Sequence, residues 1–410
     1  MLAGELLRAC LAGEAWPRHA LNDLIEAALS PDESVALDAS SALFAELVEP
    51  LCDSFEPRLV NLYVEIFSRV CERVLGLDAS RIVDRYERIR QVRRFQAAED
   101  PDAVFVLSRI TLGADVAVTS VLLDALLKRF PKSDIVFVGP RKNYELFAGD
   151  DRIRHLPLSY GRRSSLRERL AHWKALGPLL GQPRSIVVDP DSRLTQLGLL
   201  PICPDELYYF FESRCYSAAS SDPLSTLAAR WAADVFGEDA RPFLCPHQPE
   251  AVDPPGTIAV SLGVGENMAK RAPEPFEREL MEMLAATGAP ILIDKGAGGE
   301  ERERVEQVIA SLPRNSRVTA VEGSFAPFAA RIARSRLYVG YDSAGQHVAA
   351  AAGVPLVTVF SGFTSDRMCD RWRPAGAGGP VEVVRVTQGM TAGQVLHYTF
   401  KALCKLGLCS

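Results

Sequence analysis

The sequence predicts an α/β protein: two tandem Rossmann-like, doubly wound parallel-sheet domains preceded by an all-helical N-terminal domain. Three observations carry this. Residues 1–97 show helical periodicity and no convincing strand; from Ala103 short apolar runs alternate with amphipathic stretches; and beyond a proline-rich break at 243–256 the alternation begins again. Strand, helix, strand is the signature of parallel strands joined by right-handed crossovers.

In the helical domain, residues 1–97, Leu6, Leu7, Cys10 and Leu11 recur on one helical face, as do Leu59, Val60, Leu62, Tyr63, Ile66 and Phe67. The charged stretch RIVDRYERIRQVRRFQ then gives way to Pro101, a natural boundary. In the first α/β domain, residues 98–245, the tracts AVFVLS, VTSVLLDALLKRF, DIVFVG, NYELFAG and SIVVDPDS read as strand, helix, strand, helix and strand. Runs such as VFVL do not alternate with polar residues, because both faces of a parallel sheet are covered.

The tract LCPHQPEAVDPPG is the linker. The second α/β domain, residues 256–390, follows as TIAVSLG, PFERELMEMLAATG, PILID, EERERVEQVIASL, RVTAV, SFAPFAARIARS, LYVGYD, AGQHVAAAA and PLVTVF. Residues 391–410 read as a last helix with Thr391 at its N-cap.

Composition bounds the function. A length of 410 residues calls for two or three domains, and a net charge of −6 argues against a chain that coats nucleic acid. Glu5, Arg8 and Glu14 interrupt the apolar part of the first 30 residues, and no long uncharged apolar window occurs, so a cytoplasmic protein is expected. Nine irregularly spaced cysteines without a CxxC pair read as reduced thiols, with no metal site and no cofactor.

The tract YVGYDSAGQHVAAAAGVPLVTVFSG, residues 338–362, holds the elements of an anion site between strand and helix. Asp342 ends a buried strand, Ser343 is a good N-cap, and Ala344 and Gly345 leave amides open at the positive end of a helix dipole. His347, in the first turn, either reaches back to a ligand phosphate or is a satisfied, half-buried histidine. In VSLGVGENMAKRAPEPFE, residues 260–277, Gly263 and Gly265 permit close backbone approach, and Lys270 and Arg271 offer charge to a leaving pyrophosphate.

In TLGADVAVTSVLLDALLKRF, Asp115 opens the helix after the first strand, where it is either a general base for an acceptor hydroxyl or a complement to the helix dipole. The loop DPDSRLTQLG carries Asp189, Asp191, Arg193, Thr195 and Gln196 as acceptor contacts, although a polar capping loop explains them equally well. GRRSSLRERLAHWK, with Trp173, suits an anionic acceptor, a membrane surface or a solvated face.

These residues resemble glycosyltransferase family 9, whose best-known members are ADP-heptose:lipopolysaccharide heptosyltransferases of the GT-B fold. The resemblance spans roughly residues 103–390 and lies in DSAGQHVAAAAGVPLVTVFSG with DRWRP after it, in KRAPEPF, and in LGADVAVTSVLLDALLKRFPKSDIVFVGP. It implies inverting transfer of a heptose-like sugar from an ADP-linked donor to a hydroxyl of a glycan, glycolipid or protein, without a required metal, in a cleft between the domains. Lipopolysaccharide biosynthesis and a peripheral place at the cytoplasmic face of the inner membrane are part of the same implication.

By the same resemblance Asp115 would be the base and Lys270 a phosphate contact. Asp342, Ser343 and the Ala344 and Gly345 amides would hold the donor beside His347, and Glu300 or Glu301 would meet its ribose. Ala114, Ala272 and Ala344 depart from the family's Gly, Trp and Gly. Two other readings stay open: a sugar-nucleotide epimerase of the same fold, and a degenerate member that binds a nucleotide sugar without turnover. The helical domain lies outside the family plan and would suit a partner, a protein acceptor or an oligomer contact.

Overall fold

The computed structural model describes residues 2–97, 99–161, 163–248, 252–265, 267–296 and 298–408. The helical segment comprises α1 (Leu2–Ala12), α2 (Arg18–Ala28), α3 (Glu33–Ser41), which runs through a wide turn, Ala42–Val48, into α4 (Glu49–Asp53), then α5 (Pro57–Leu75) and α6 (Ala79–Ile89). In α5 the buried Leu59, Val60, Tyr63, Val64, Phe67, Val70 and Cys71 recur at helical spacing on one face.

The first sheet is formed by β1 (Ala103–Leu107), β2 (Asp134–Gly139), β3 (Ile153–Pro157), β4 (Ser185–Asp189) and β5 (Tyr208–Phe210), all parallel in the order β3-β2-β1-β4-β5. Its helices are α7 (Leu112–Ala114), which passes through a wide turn, Asp115–Thr119, into α8 (Ser120–Arg129), then α9 (Arg141–Tyr144), α10 (Leu166–Leu180) and α11 (Leu224–Phe236).

The second sheet joins β6 (Ile258–Ser261), β7 (Ile291–Asp294), β8 (Val318–Val321), β9 (Leu337–Tyr341), β10 (Leu356–Phe360) and β11 (Val381–Arg385), again all parallel, in the order β11-β10-β9-β6-β7-β8. Its helices are α12 (Phe276–Ala286), α13 (Gly299–Ala310), α14 (Phe325–Ile332), α15 (Ala344–Ala352), α16 (Asp366–Trp372) and α17 (Ala392–Lys405). The expected plan of helices followed by two doubly wound sheets holds.

The period of two along each strand sorts the core into layers. Val104, Val106, Ile186, Val188, Tyr209 and Phe211 face α8 and α11, whereas Phe105, Leu107, Val138, Val187, Tyr208 and Phe210 share one apolar cluster with Leu6, Leu24, Leu47, Leu51, Tyr63, Phe67 and Tyr86 of the helical segment. The first hundred residues therefore share with α10, through Leu166, Leu170, Leu176 and Leu180, the covering of one face of the first sheet. Each large side chain buried there is worth about 1.5–3 kcal/mol.

Polar ties follow the same seam. Tyr63 donates to Gln196 O at 2.9 Å, and Arg85 donates to Gly198 O at 2.8 Å and to Asp205 at 2.7 Å. On the other side, α14 and α15 bring Phe328, Ala329, Val348, Ala349 and Ala350 into the cluster of α8 and α11, so the two sheets sandwich a common layer. The small side chains of HVAAAA let the two halves approach closely.

Several expectations change. NYELFAG is helical only through Tyr144, and the helix after β1 begins earlier, at Leu112. β3, β5, β11 and α16 add to the elements read from the sequence. The linker is strapped to the first half by Cys245 N donating to Leu146 O at 2.8 Å, and its Asp253 pairs with Arg331 of the second half; Pro249, Glu250 and Ala251 lie outside the described residues. Thr391 caps α17 as expected, in a capping box with Gln394.

Cys10, Cys52, Cys71, Cys203, Cys215, Cys245 and Cys369 are free, but Cys404 is disulfide-bonded, against the expectation of reduced thiols. There the end of α17 curls back, Leu408 N donating to Leu403 O at 3.1 Å. No helix among the described residues is long and apolar enough to cross a membrane.

Candidate functional site

A cleft of about 1250 Å³ opens between the two halves. Its walls come from the turns that follow β1, β4, β6 and β9. In each sheet these are the two strands that flank the reversal of strand order, where an open parallel sheet parts its loops and leaves a crevice. That topology gathers tracts lying more than 200 residues apart in the sequence.

On the second-domain side the turn from β9 to α15 is open. Ser343 has extended backbone, φ −149° and ψ −174°, and contrary to the N-cap expectation its hydroxyl bonds no helix amide. Ser343 Oγ and Tyr338 Oη are both buried without an aligned partner among the described residues, although Tyr338 Oη lies close to the hydroxyls of Ser343 and Ser261. The first amides of α15 lack intrahelical acceptors, as in any α-helix. Unspent donors thus converge on a helix start that faces the cleft.

Ser343, Ala344 and His347 line the cleft. Gly345 does not: it is buried, and a Cβ there would overlap the Tyr338 hydroxyl beneath it, so its glycine serves packing rather than direct contact from the cleft wall. Lys270 Nζ meets Asp342 Oδ2 at 2.5 Å and Asp342 O at 3.2 Å. The other Asp342 oxygen accepts from Gln346 Nε2, and Gln346 Oε1 accepts from Thr358 at 2.8 Å. Burial pushes the His347 imidazole down to about 4, so the ring is neutral at pH 7.

Gly263 and Gly265 line the cleft, as does Glu301. Glu301 nests against Gly263 and Gly296, where any Cβ would crowd its carboxylate. Burial, reinforced by nearby Asp294, raises its pKa. Of the two ribose candidates the structure brings Glu301 to the site; Glu300 is exposed outside it because the helix turns it about 100° away.

On the first-domain side the turn that carries the expected base is closed on itself. Asp115 is fully buried and absent from the cleft wall. One carboxylate oxygen accepts from Arg109 N at 2.7 Å and Thr119 Oγ1 at 2.6 Å, the other from Ser108 Oγ at 2.6 Å and Asn143 Nδ2 at 2.5 Å. Burial raises its pKa while these donors oppose the shift. Asp115 organises the turn after β1. The turn's contact with the second half is made by Gly113, where a Cβ would sit 3.2 Å from the His347 ring and 3.3 Å from Ala344 Cα.

The acceptor candidates divide. Asp191 and Arg193 line the cleft, Asp191 pairing with Arg214 and Arg193 meeting Glu49 of α4 at 3.0 Å. Asp189, Thr195 and Gln196 lie buried behind the wall. Asp189 is pushed up to about 6 by burial and accepts from Ser192 N at 2.6 Å, Thr195 Oγ1 at 2.5 Å and Tyr208 Oη. Gln196 Nε2 faces Tyr63 of the helical segment at 3.4 Å. These three hold the loop's shape, the capping alternative. Trp173 of the basic helix donates to Pro201 O at 2.6 Å.

Sequence reasoning missed the third wall. Asp38, Phe44, Glu49 and Asp53 of the helical segment face the same cleft, together with Arg109, Arg169, Arg214 and Trp372. Trp372 is a junction, 6.4 Å from the Phe55 ring, 6.0 Å from that of His347 and 5.8 Å below the Arg109 guanidinium. Burial lowers Arg109 to about 10, still protonated at neutral pH. Among the described residues no cluster of three or more His, Cys, Asp or Glu is arranged to hold a metal ion.

Residues 249–377 match the model of glycosyltransferase family 9 (heptosyltransferase). No curated protein matches the chain. Among solved structures, a glycosyl transferase family 9 protein from Veillonella parvula DSM 2008 is similar at TM-score 0.56 and 16% identity, covering 77% of this chain and 99% of its own. E. coli heptosyltransferase WaaC with ADP gives 0.51 and 17%, covering 73% and 99%. E. coli ADP-heptose lps heptosyltransferase II gives 0.50 and 18%, covering 74% and 99%. The motif resemblance holds over the second domain, and the two sheets with their cleft are the GT-B fold of these structures.

Proposed function

We propose that this protein transfers a heptose-like sugar from an ADP-linked donor to a hydroxyl acceptor, with inversion at the sugar carbon and no bound metal. The observation that carries the reading is the open turn at Ser343, where the first amides of α15 face a cleft, the Ser343 hydroxyl bonds none of them, and Lys270 lies beside the turn. A diphosphate supplies the acceptors these donors lack and favours the positive end of the helix dipole. In this reading Glu301, cradled by Gly263 and Gly296, accepts from the ribose hydroxyls.

The match of residues 249–377 to the heptosyltransferase family and the ADP bound to E. coli WaaC support an ADP-linked donor. One observation favours the rival reading of a binder without turnover: Asp115, the base implied by resemblance, is sealed from the cleft.

The test is a thermal-shift and calorimetric screen with ADP, GDP, UDP and ADP-heptose, followed by product analysis. Selective binding of ADP and ADP-heptose is expected, each raising the melting temperature by mass action. Equal indifference to all four ligands removes the proposal. Conversion of the donor sugar with no ADP released identifies an epimerase instead.

A further inference from the structure

The C-terminal edge of the second sheet lays out the proposed donor in order. Its strands run β10-β9-β6-β7, with Glu301 following β7, the turn at Ser343 following β9 and α16 following β10. A nucleotide sugar with its ribose at Glu301 and its pyrophosphate at Ser343 therefore points its sugar toward α16. The cleft wall there is made by Met368 and Trp372 of α16, His347 of α15, and Arg109 and Gly113 of the turn after β1.

We infer that Trp372 is the platform for a pyranose ring of the donor and helps to determine which sugar is accepted, an inference that rests on the transferase reading above. A pyranose turns an apolar face of C–H bonds to an aromatic ring while its hydroxyls reach polar groups at the rim. Trp372 has the exposure and the neighbours for both contacts. Its side chain is half-buried, its ring lies 6.0 Å from that of His347, and the Arg109 guanidinium stands 5.8 Å over it. Arg109 Nη1 donates to Pro190 O at 2.5 Å and to Ser213 Oγ at 2.9 Å. Among the described residues its carboxylate partner is Asp191, at 4.0 Å, and its other N–H groups have no hydrogen bond. A buried cation with spare donors beside a half-open aromatic ring suits the hydroxyls and the C–H face of one sugar.

The platform is also held still. Arg373 leaves the helix at ψ 128°, as residues before a proline do, so α16 stops at Trp372. Just before the ring, the buried Arg371 donates to Ser217 O at 3.0 Å and to Asp222 O at 3.1 Å in the first half. Just after it, Ala375 O accepts from Ser225 Oγ at 3.2 Å. Trp372 thus belongs to the second half and is pinned on both sides to the first, at the seam a transferred sugar has to cross. A side chain fixed in this way gives up little conformational freedom when a ligand settles on it.

The test uses the full chain, with ADP and ADP-heptose titrated separately by calorimetry. Trp372→Leu is expected to weaken ADP-heptose binding at least about fivefold, the loss of one aromatic contact, while ADP affinity stays within about twofold. Trp372→Phe, which keeps an aromatic ring against Phe55, should recover most of the ADP-heptose affinity. Tryptophan fluorescence of the wild-type chain should change more with ADP-heptose than with ADP, and that difference should vanish in Trp372→Phe. Unchanged ADP-heptose affinity in Trp372→Leu, or an equal weakening of ADP and ADP-heptose, overturns the assignment. A wild-type chain that binds ADP and refuses ADP-heptose overturns it too. A wild-type chain that binds none of the screened nucleotides instead brings down the transferase reading itself, and this inference with it.

Discussion

The two turns that face each other across the cleft occupy equivalent places in their sheets, each leading from a strand at the switch point into a helix. They spend their polar groups in opposite ways. After β1, the carboxylate of Asp115 takes four donors and leaves the turn closed on itself. After β9, the Ser343 hydroxyl bonds no helix amide among the described residues and the first amides of α15 stay open. A turn that satisfies its own hydrogen bonds is a structural part, and one that leaves donors unsatisfied holds free energy in reserve for a ligand.

The contrast can be broken by substitution, and the largest effect belongs to the closed turn. Asp115→Asn replaces acceptor sites with donors among four buried donors, so urea unfolding should show a loss of about 3–5 kcal/mol with ADP affinity of the folded fraction retained. A stable variant that loses ADP would reverse the roles assigned to the two turns.

On the open turn, the next effect is a pH response. His347 is neutral in the fold, with its pKa near 4, whereas an unfolded histidine titrates near 6.5. As pH falls from about 6.5 to about 4, the unfolded chain gains a proton that the native chain refuses, and stability drops by up to about 1.4 kcal/mol per pH unit. His347→Gln should flatten the melting temperature over that window; parallel curves for the two proteins would show that other groups govern the acid side.

Substitutions at the proposed donor turn give smaller changes. Lys270→Ala should weaken ADP binding about 10- to 50-fold by calorimetry, the range of one charge-assisted contact. Tyr338→Phe keeps the ring that Gly345 packs against and removes one hydroxyl, so a loss of about three- to tenfold in ADP affinity is expected. An unchanged affinity in Tyr338→Phe would mean that this hydroxyl serves packing alone, and the contrast between the turns would narrow to Ser343 and the amides.

The open turn was legible in the sequence because its parts are contiguous: Asp342, Ser343, Ala344 and His347 leave one strand and enter one helix, so strand end and helix start fix their place together. Asp115 stands at a similar strand-to-helix junction, but spacing cannot tell whether a carboxylate points into a cleft or back into the turn. Ser108, Thr119 and Asn143 decide that, and Asn143 arrives from beyond β2. β3 and β11 escaped notice because these edge strands are half exposed and carry charges, as in IRHLP and VEVVR.

The helical wall was hidden for a different reason. Its contacts bridge long stretches of chain, Ser40 Oγ accepting from Leu166 N at 2.8 Å and Glu49 from Arg193 at 3.0 Å. Periodicity reports an apolar face; it does not report what covers it.

The shared core of helical layer and first sheet also sets an order of events during synthesis. The helices emerge from the ribosome with the flank of Leu47, Leu51, Tyr63 and Phe67 uncovered, and β5, which supplies Tyr208 and Phe210, begins about 120 residues after α6 ends. At 5–20 residues per second, that leaves an apolar surface waiting for roughly 5–20 s. Slow closure over such separations exposes the nascent chain to misassociation. Expression at reduced temperature or with holdase chaperones should therefore raise the soluble yield more than any change made near the cleft.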